Sequence, residues 1–141
     1  MTGFLVDTNV ISELIKPAPN AGLVAWIDQT PEPLIHLSTL TVGELRKGIA
    51  LLPTGKRRRS LESWLSGDLL LRFQNRILGI DAAISDQWGR FAAKRQQLGM
   101  PLAVVDGLMA ATAYIHGLSV VSRNVSDFAR LDVTIINPWR K

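Results

Sequence analysis

Short apolar runs alternate with helical patterns along this chain, and that alternation restricts the fold more than any other feature of the sequence. Apolar runs typical of buried strands occupy residues 4–6, 34–37, 77–80, 119–121 and 133–136. Helical patterns occupy residues 10–16, 42–52, 60–73 and 84–98. Strands that alternate with helices form a parallel sheet covered on both faces. We therefore expect an α/β fold in which the helices at 42–52 and 60–73 are inserted as a pair between the second and third strands.

Size and composition exclude several classes of protein. The 141 residues suffice for one domain, which we place at residues 1–141. With 47% hydrophobic and 20% charged residues and no cysteine, the chain is neither disordered nor built on disulfides or cysteine zinc sites. The start lacks a secretory pattern, and the longest uncharged segment, 107–122, is too short to span a bilayer. We expect a cytoplasmic protein without a membrane partner.

Acidic and amide side chains follow several of the apolar runs. Those at the ends of runs are Asp7, Asp106, which follows the run at 102–105, and the pair Asn124 and Asp127. Glu44 would join them from the first turn of the helix that follows residues 37–40. Because ligands of α/β sheets bind beyond the carboxyl ends of the strands, we expect these distant side chains to converge there.

Convergence of these acids would require a cation. Two carboxylates about 4 Å apart repel by roughly 4 kcal/mol at an effective dielectric constant of 20. Ligands that offer only oxygen favour Mg²⁺ or Mn²⁺, which activate water against phosphodiesters. We therefore expect Asp7, Glu44 and Asp106 to hold a metal ion, while one of them or Asp127 orients the attacking water.

Each acid also has a purely structural interpretation, and the residues alone leave that choice open. Asp106 is a good N-cap for a helix that begins at Gly107. Glu44 forms a capping-box pattern with Thr41. Residues 7–9 and 124–127 are typical of caps or Asx-turns, and we assign Asp81 to a helix cap alone.

Four segments, at residues 5–14, 38–48, 106–113 and 122–128, resemble in order and spacing the signature blocks of PIN-domain ribonucleases. More narrowly, they resemble the VapC-type toxins of bacterial type II toxin–antitoxin pairs, including the FitB-like branch. The resemblance implies a three-layer α/β/α sandwich with a five-stranded parallel sheet, and cleavage of RNA that depends on Mg²⁺ or Mn²⁺. It also implies a cognate antitoxin, a homodimer, and contact with operator DNA only through the antitoxin complex.

The same resemblance assigns roles to individual residues. Asp7, Glu44 and Asp106 fall on the acidic triad of the family. A fourth acidic position falls on Asn124, an uncharged amide, with Asp127 three residues further on. Small polar residues that support the metal ligands by hydrogen bonds fall on Thr8, Asn9 and Ser122.

Other features have two interpretations. The run Lys56, Arg57, Arg58 and Arg59 is either an RNA-phosphate contact or a solvated turn before a helix at residue 60. We expect His36 and His116 to be structural. We expect Trp26, Trp64 and Trp88 to lie within helices and Trp139 to be exposed.

Two alternative functions remain open from the sequence. A PIN ribonuclease of RNA processing would carry the same residues as a toxin. A non-catalytic nucleic-acid-binding module would account for the net charge of +4, but it gives no reason for acids where phosphates should approach.

Overall fold

The computed structural model describes residues 2–140 and contains a fully parallel sheet of five strands. The strand order is β3-β2-β1-β4-β5, so β1 is the central strand. The strands are β1 (Phe4–Val6), β2 (Ile35–Ser38), β3 (Ile77–Leu78), β4 (Ser119–Val121) and β5 (Ile135–Ile136). The predicted fold class is confirmed.

Helices connect the first four strands in succession. They are α1 (Thr8–Leu14), α2 (Ala21–Gln29), α3 (Thr39–Ala50), α4 (Lys56–Ser63), α5 (Leu70–Arg72), α6 (Ala82–Gln97) and α7 (Val104–His116). A π-helical turn at Trp64–Leu69 joins α4 to α5, and short 3-10 turns occupy Glu32–Leu34 and Val125–Phe128. The predicted helical pair between the second and third strands is therefore present as α3 and the stretch from α4 to α5.

Two apolar clusters cover the opposite faces of the sheet. Neighbouring residues of a strand point to opposite faces. Accordingly, Val6 packs with side chains of α1 to α4 and of the π-helical turn, whereas Leu5 packs with Phe91 of α6 and Met109 of α7. Burial of β1 on both faces explains why the strand is a continuous apolar run.

The structure corrects the prediction at the start of α7. The apolar run at 102–105 is not a strand with Asp106 at its carboxyl end, because α7 already begins at Val104. Asp106 is not the N-cap either, since Ala103 occupies that position without a side-chain cap. A short apolar run does not distinguish a strand from the approach to a helix. Asp106 therefore projects from the first turn of a helix.

Two further boundaries differ from the prediction. Helix α3 begins at Thr39, where Ser38 Oγ accepts a hydrogen bond from the Leu40 amide at 3.0 Å. The expected capping box is therefore wrong, and Glu44 lies in the second turn rather than the first. The basic run forms the first turn of α4 rather than a turn before it. The prediction that Trp139 is exposed is wrong. Its side chain is partly buried, because it packs against the cluster that contains Val6.

Within residues 2–140, no helix combines the length and the apolar character needed to cross a bilayer.

Candidate active site

Asp7 is held at the carboxyl edge of the two central strands. Its backbone amide donates to the Val121 carbonyl of β4 at 2.8 Å, and its side chain is buried. Oδ1 caps α1 by accepting from the Thr8 amide at 2.8 Å. Oδ2 accepts from the Ser122 hydroxyl at 2.7 Å. Asp7 is therefore a helix cap and a member of the acidic site at once.

Glu44 is tied to the same edge through Thr8. The Thr8 hydroxyl donates to Glu44 Oε1 at 2.6 Å and lies 3.1 Å from the hydroxyl of the buried Thr41. This contact orients an otherwise exposed carboxylate of α3 toward the start of α1. Thr41 was not predicted as a site residue, because its place in the apparent capping box explained it completely.

Ser122 is the centre of a polar network beyond β4. Besides donating to Asp7, its hydroxyl accepts from Asn9 Nδ2 at 3.2 Å and from the Asn124 amide at 3.0 Å. Asn9 Oδ1 in turn accepts from the Arg123 amide at 3.4 Å. Asn124 thus joins the network through its backbone, and its side chain makes no hydrogen bond within residues 2–140.

Asp106 and Asp127 add two more carboxyl groups to this edge. Burial raises the pKa of Asp106 to about 6, and the charges of Asp127, Asp7 and Glu44 act in the same direction. Burial also raises the pKa of Asp7, against the hydrogen bonds from Ser122 and Thr8, with a further contribution from Glu44 and Asp127. The four carboxyl groups therefore share one electrostatic environment.

The chemistry of this donor set suits a hard cation, although the side chains do not form a closed cage. All the donors are carboxylate or hydroxyl oxygens, and their mutual repulsion disfavours full ionisation without a counter-charge. In the part of the chain that the structure describes, no three acidic or imidazole groups are close enough to share one ion. An ion would have to draw the carboxylates closer together than they are here.

Arg95 of α6 positions part of the site through hydrogen bonds to backbone carbonyls, and this role was not predicted from the sequence. Its buried guanidinium donates to the carbonyls of Met100 at 2.8 Å, Asp127 at 3.1 Å and Ala129 at 3.0 Å. These bonds fix both the loop that leads into α7 and the turn that carries Asp127. One feature of the sequence could have indicated that Arg95 is buried: it lies seven residues after Trp88, and therefore on the same apolar face of α6.

The remaining candidates lie outside this network. Lys56, Arg57 and Arg59 are exposed on α4, whereas Arg58 donates to the Leu52 carbonyl at 3.3 Å. Within residues 2–140, no hydrogen bond or ion pair connects this basic run to the acidic site. His36 Nδ1 lies 3.1 Å from the Leu34 carbonyl, at a distance typical of a structural contact.

Comparison with known proteins identifies the family. Residues 4–133 match the PIN domain. The chain is 40% identical over 135 residues to Toxin FitB of Neisseria gonorrhoeae, covering 96% of this chain and 97% of that protein. It is also 40% identical to VapC ribonuclease Y4jK of Sinorhizobium fredii, covering 96% of each. The solved structure of FitAB bound to an IR36 DNA fragment matches with a TM-score of 0.92 and 37% identity, covering 98% of this chain and 96% of that chain.

These matches confirm the resemblance that the four sequence segments indicated. A family match over residues 4–133, together with relatives near 40% identity along almost their whole length, leads to one assignment. This chain belongs to the PIN-domain family.

Proposed function

We propose that the protein is an endoribonuclease that depends on a divalent cation and acts as the toxin of a type II toxin–antitoxin pair. The observation that supports this most directly is the gathering of four carboxyl groups from separate segments, whose mutual repulsion adds to burial in raising the pKa of Asp7 and Asp106. Such repulsion is useful where a cation must be bound and a phosphodiester attacked. Relatives named a toxin and a VapC ribonuclease support both halves of the proposal.

Asp7, Glu44 and Asp106 would hold Mg²⁺ or Mn²⁺, since their oxygens are the ligands that these ions prefer. Held by these residues, such an ion would supply positive charge against the negative charge that develops on the phosphate during cleavage. Thr8 and Ser122 orient Glu44 and Asp7 by hydrogen bonds, which leaves fewer side-chain rotations to lose on binding.

Asp127 suits the role of orienting the attacking water and accepting its proton better than Asn124 does. The negative charge of its carboxylate contributes to the raised pKa of both Asp7 and Asp106. Its backbone carbonyl is held by a hydrogen bond from Arg95. Asn124 carries no charge and has an exposed side chain. We therefore assign the fourth acidic role to Asp127.

An apolar groove is suited to bind either the antitoxin or a second copy of the chain. It has a volume of about 240 Å³ and lies between α1 and the π-helical turn, where Ile11 and Leu14 face Trp64. Exposed Ile15 and Leu71 lie on the same elements or next to them. The solved FitAB complex with DNA supports a route to operator DNA through the antitoxin. RNA and antitoxin would both be met in the cytoplasm.

The first prediction concerns metal-dependent cleavage. The purified protein should cleave a single-stranded RNA reporter with Mg²⁺ or Mn²⁺ and not with EDTA. Asp7→Asn or Asp106→Asn should lower the rate at least about 100-fold, because loss of outer partners of a metal site alone costs about 10- to 100-fold.

Asp81→Asn is the matched control for this measurement. It makes the same chemical change at the cap of α6, where Asp81 accepts from the Ile84 amide at 2.9 Å, and it should retain full activity. Cleavage that persists in EDTA, or that survives Asp7→Asn with the fold intact by circular dichroism, would contradict the proposed function.

A further inference from the structure

A polar cavity lies next to the acidic site, and none of the steps proposed above uses it. Its volume is about 500 Å³, within the range of pockets that enclose small ligands. Residues of α1, of the loop after β4 and of the C-terminal segment 137–140 line it. Arg123 connects the cavity to the site, since it follows Ser122 directly and its amide donates to Asn9.

The C-terminal segment is fixed against the loop before α2, so the wall it forms is well defined. Asn20 Nδ2 donates to the Arg140 carbonyl at 2.7 Å, and Asn20 Oδ1 accepts from the Arg140 amide at 3.0 Å. The segment also packs directly against the backbone of Gly22, where a Cβ would lie only 2.8 Å from the Arg140 amide nitrogen. Arg140 therefore keeps its place at the cavity.

The cavity carries an excess of positive charge. Neither the Arg123 nor the Arg140 guanidinium forms an ion pair with an acidic side chain of residues 2–140. The one acidic group in the wall, Glu13, is already engaged by Lys16 Nζ at 3.0 Å and by the Asn20 amide at 3.0 Å. Its charge is thus offset locally, and the two arginines are available to an anion.

We propose that this cavity is a substrate subsite that holds one nucleotide of an RNA strand next to the cleaved bond, with the nucleotide's phosphate on Arg123 and Arg140. The inference rests on the proposed function and extends it to how the strand is positioned. Arginine contacts to phosphate fix the register of a nucleic acid on a protein without reading its sequence. A strand whose cleaved phosphate lies at Asp7 would meet Arg123 as it leaves the acidic site.

The test measures RNA binding apart from cleavage. Every variant is made in an Asp7→Asn background with EDTA, and fluorescence anisotropy gives the Kd for a labelled single-stranded RNA between about 50 and 200 mM salt. Losing the contact to one phosphate should lower the slope of log Kd against log salt by about 0.7. Because both arginines contact the same phosphate, the double variant of Arg123→Gln with Arg140→Gln should show that change in full, and each single variant should show a smaller one.

Two companion variants separate the cavity from general surface charge. Lys94→Gln removes an exposed positive charge from α6 and should leave the Kd and the slope unchanged. Ala18→Trp should fill the cavity without altering charge, and it should weaken binding throughout the salt range. Adenosine monophosphate, titrated against the same protein, distinguishes a free nucleotide from a strand.

The outcomes are distinct. An unchanged Kd and slope in the double variant, or the absence of RNA binding by the background protein, would overturn the subsite. Binding of adenosine monophosphate that RNA does not displace would overturn its assignment to a strand. Arginine-dependent RNA binding by a protein that never cleaves RNA would support the subsite while refuting the proposed function. Cleavage with an arginine-independent KM would refute only the subsite.

Discussion

At the scale of single residues, the structural and functional interpretations of an acid can both be true. One carboxylate oxygen of Asp7 accepts a hydrogen bond from the Thr8 amide, and the other accepts one from the Ser122 hydroxyl. A carboxylate has enough lone pairs to make both bonds and still ligate an ion. Asp81 caps α6 in the same way and is not part of the hydrogen-bond network around Asp7, so capping alone does not mark a site.

The second prediction follows from the raised pKa of Asp106. In the unfolded chain this group ionises near 3.8, and in the folded protein near 6, so the folded state binds more protons between those values. Stability without divalent ions should therefore fall as the pH rises from about 4 to about 6, and remain lowered above that. Asp106→Asn should raise the melting temperature at pH 7.5 by about 3 °C, which corresponds to about 1 kcal/mol after solvent screening.

Thermal unfolding in EDTA at several pH values checks this. The advantage of Asp106→Asn should shrink as the pH falls from about 6 to about 4, because the wild-type carboxyl of the folded state is then protonated and no buried charge remains. Asp86→Asn is the control, because it changes an exposed acid on α6. A variant that is equally or less stable than wild type at pH 7.5 would argue against a destabilising charge on the buried Asp106 carboxyl.

At the scale of elements, α6 and α7 approach closely where Asp106 enters the site. A Cβ at Gly107 would lie 2.7 Å from Trp88 Cδ1 and 2.8 Å from Leu102 Cδ2. The absence of a side chain there lets the first turn of α7 lie directly on α6, next to Asp106.

The third prediction concerns this contact. Gly107→Ala should lower the free energy of unfolding by about 1–3 kcal/mol, because an extra methyl group overpacks the helix pair. Gly89→Ala, within α6 and with open space around its Cβ position, should instead be stabilising by about 0.5–1 kcal/mol. Urea denaturation measures both, and equal effects of the two substitutions would contradict close packing at Gly107.

Element type was predictable from the sequence wherever an apolar run was bounded by turn residues. The runs at 4–6 and 119–121 match β1 and β4, because strands buried on both faces must be continuously apolar. The start of α7 was not predictable, since residues 102–105 are apolar without being a strand. The start of α4 was missed because four consecutive basic residues give no apolar periodicity.

At the scale of the whole molecule, the order of the strands brings the acids together. Placing β1 between β2 and β4 puts Asp7 between Ser38, which precedes α3, and Ser122. The general rule for parallel sheets predicted this meeting point. The rule says nothing about the contact of Thr8 with Glu44, or about the cavity at Arg140, because both depend on how loops and helices pack across the chain.

The fourth prediction tests how the C-terminal segment is attached. Gly22→Ala would place a methyl group against Pro138 and Arg140, so the segment must move. We expect a decrease of about 1–3 kcal/mol in unfolding free energy and weaker RNA binding, since Arg140 leaves the cavity. Gly48→Ala in α3, where a Cβ meets nothing within 4 Å, is the control: it should leave RNA binding unchanged and, like Gly89→Ala, should be stabilising by about 0.5–1 kcal/mol. Retention of full RNA affinity by Gly22→Ala would contradict the coupling.

The bond between Ser122 and Asp7 also has a consequence for folding. It joins residues 115 positions apart, and β1 cannot take its central place until β4 pairs with it. Forming contacts so distant along the chain is slow, because the entropy of closing the long loop must be overcome first. A partly folded species in which β4 has not paired with β1 lacks the assembled acidic edge, so nuclease activity on refolding should return only after that pairing. If the protein acts as the proposed toxin, it would thereby be inert until it reaches the folded state that an antitoxin can bind.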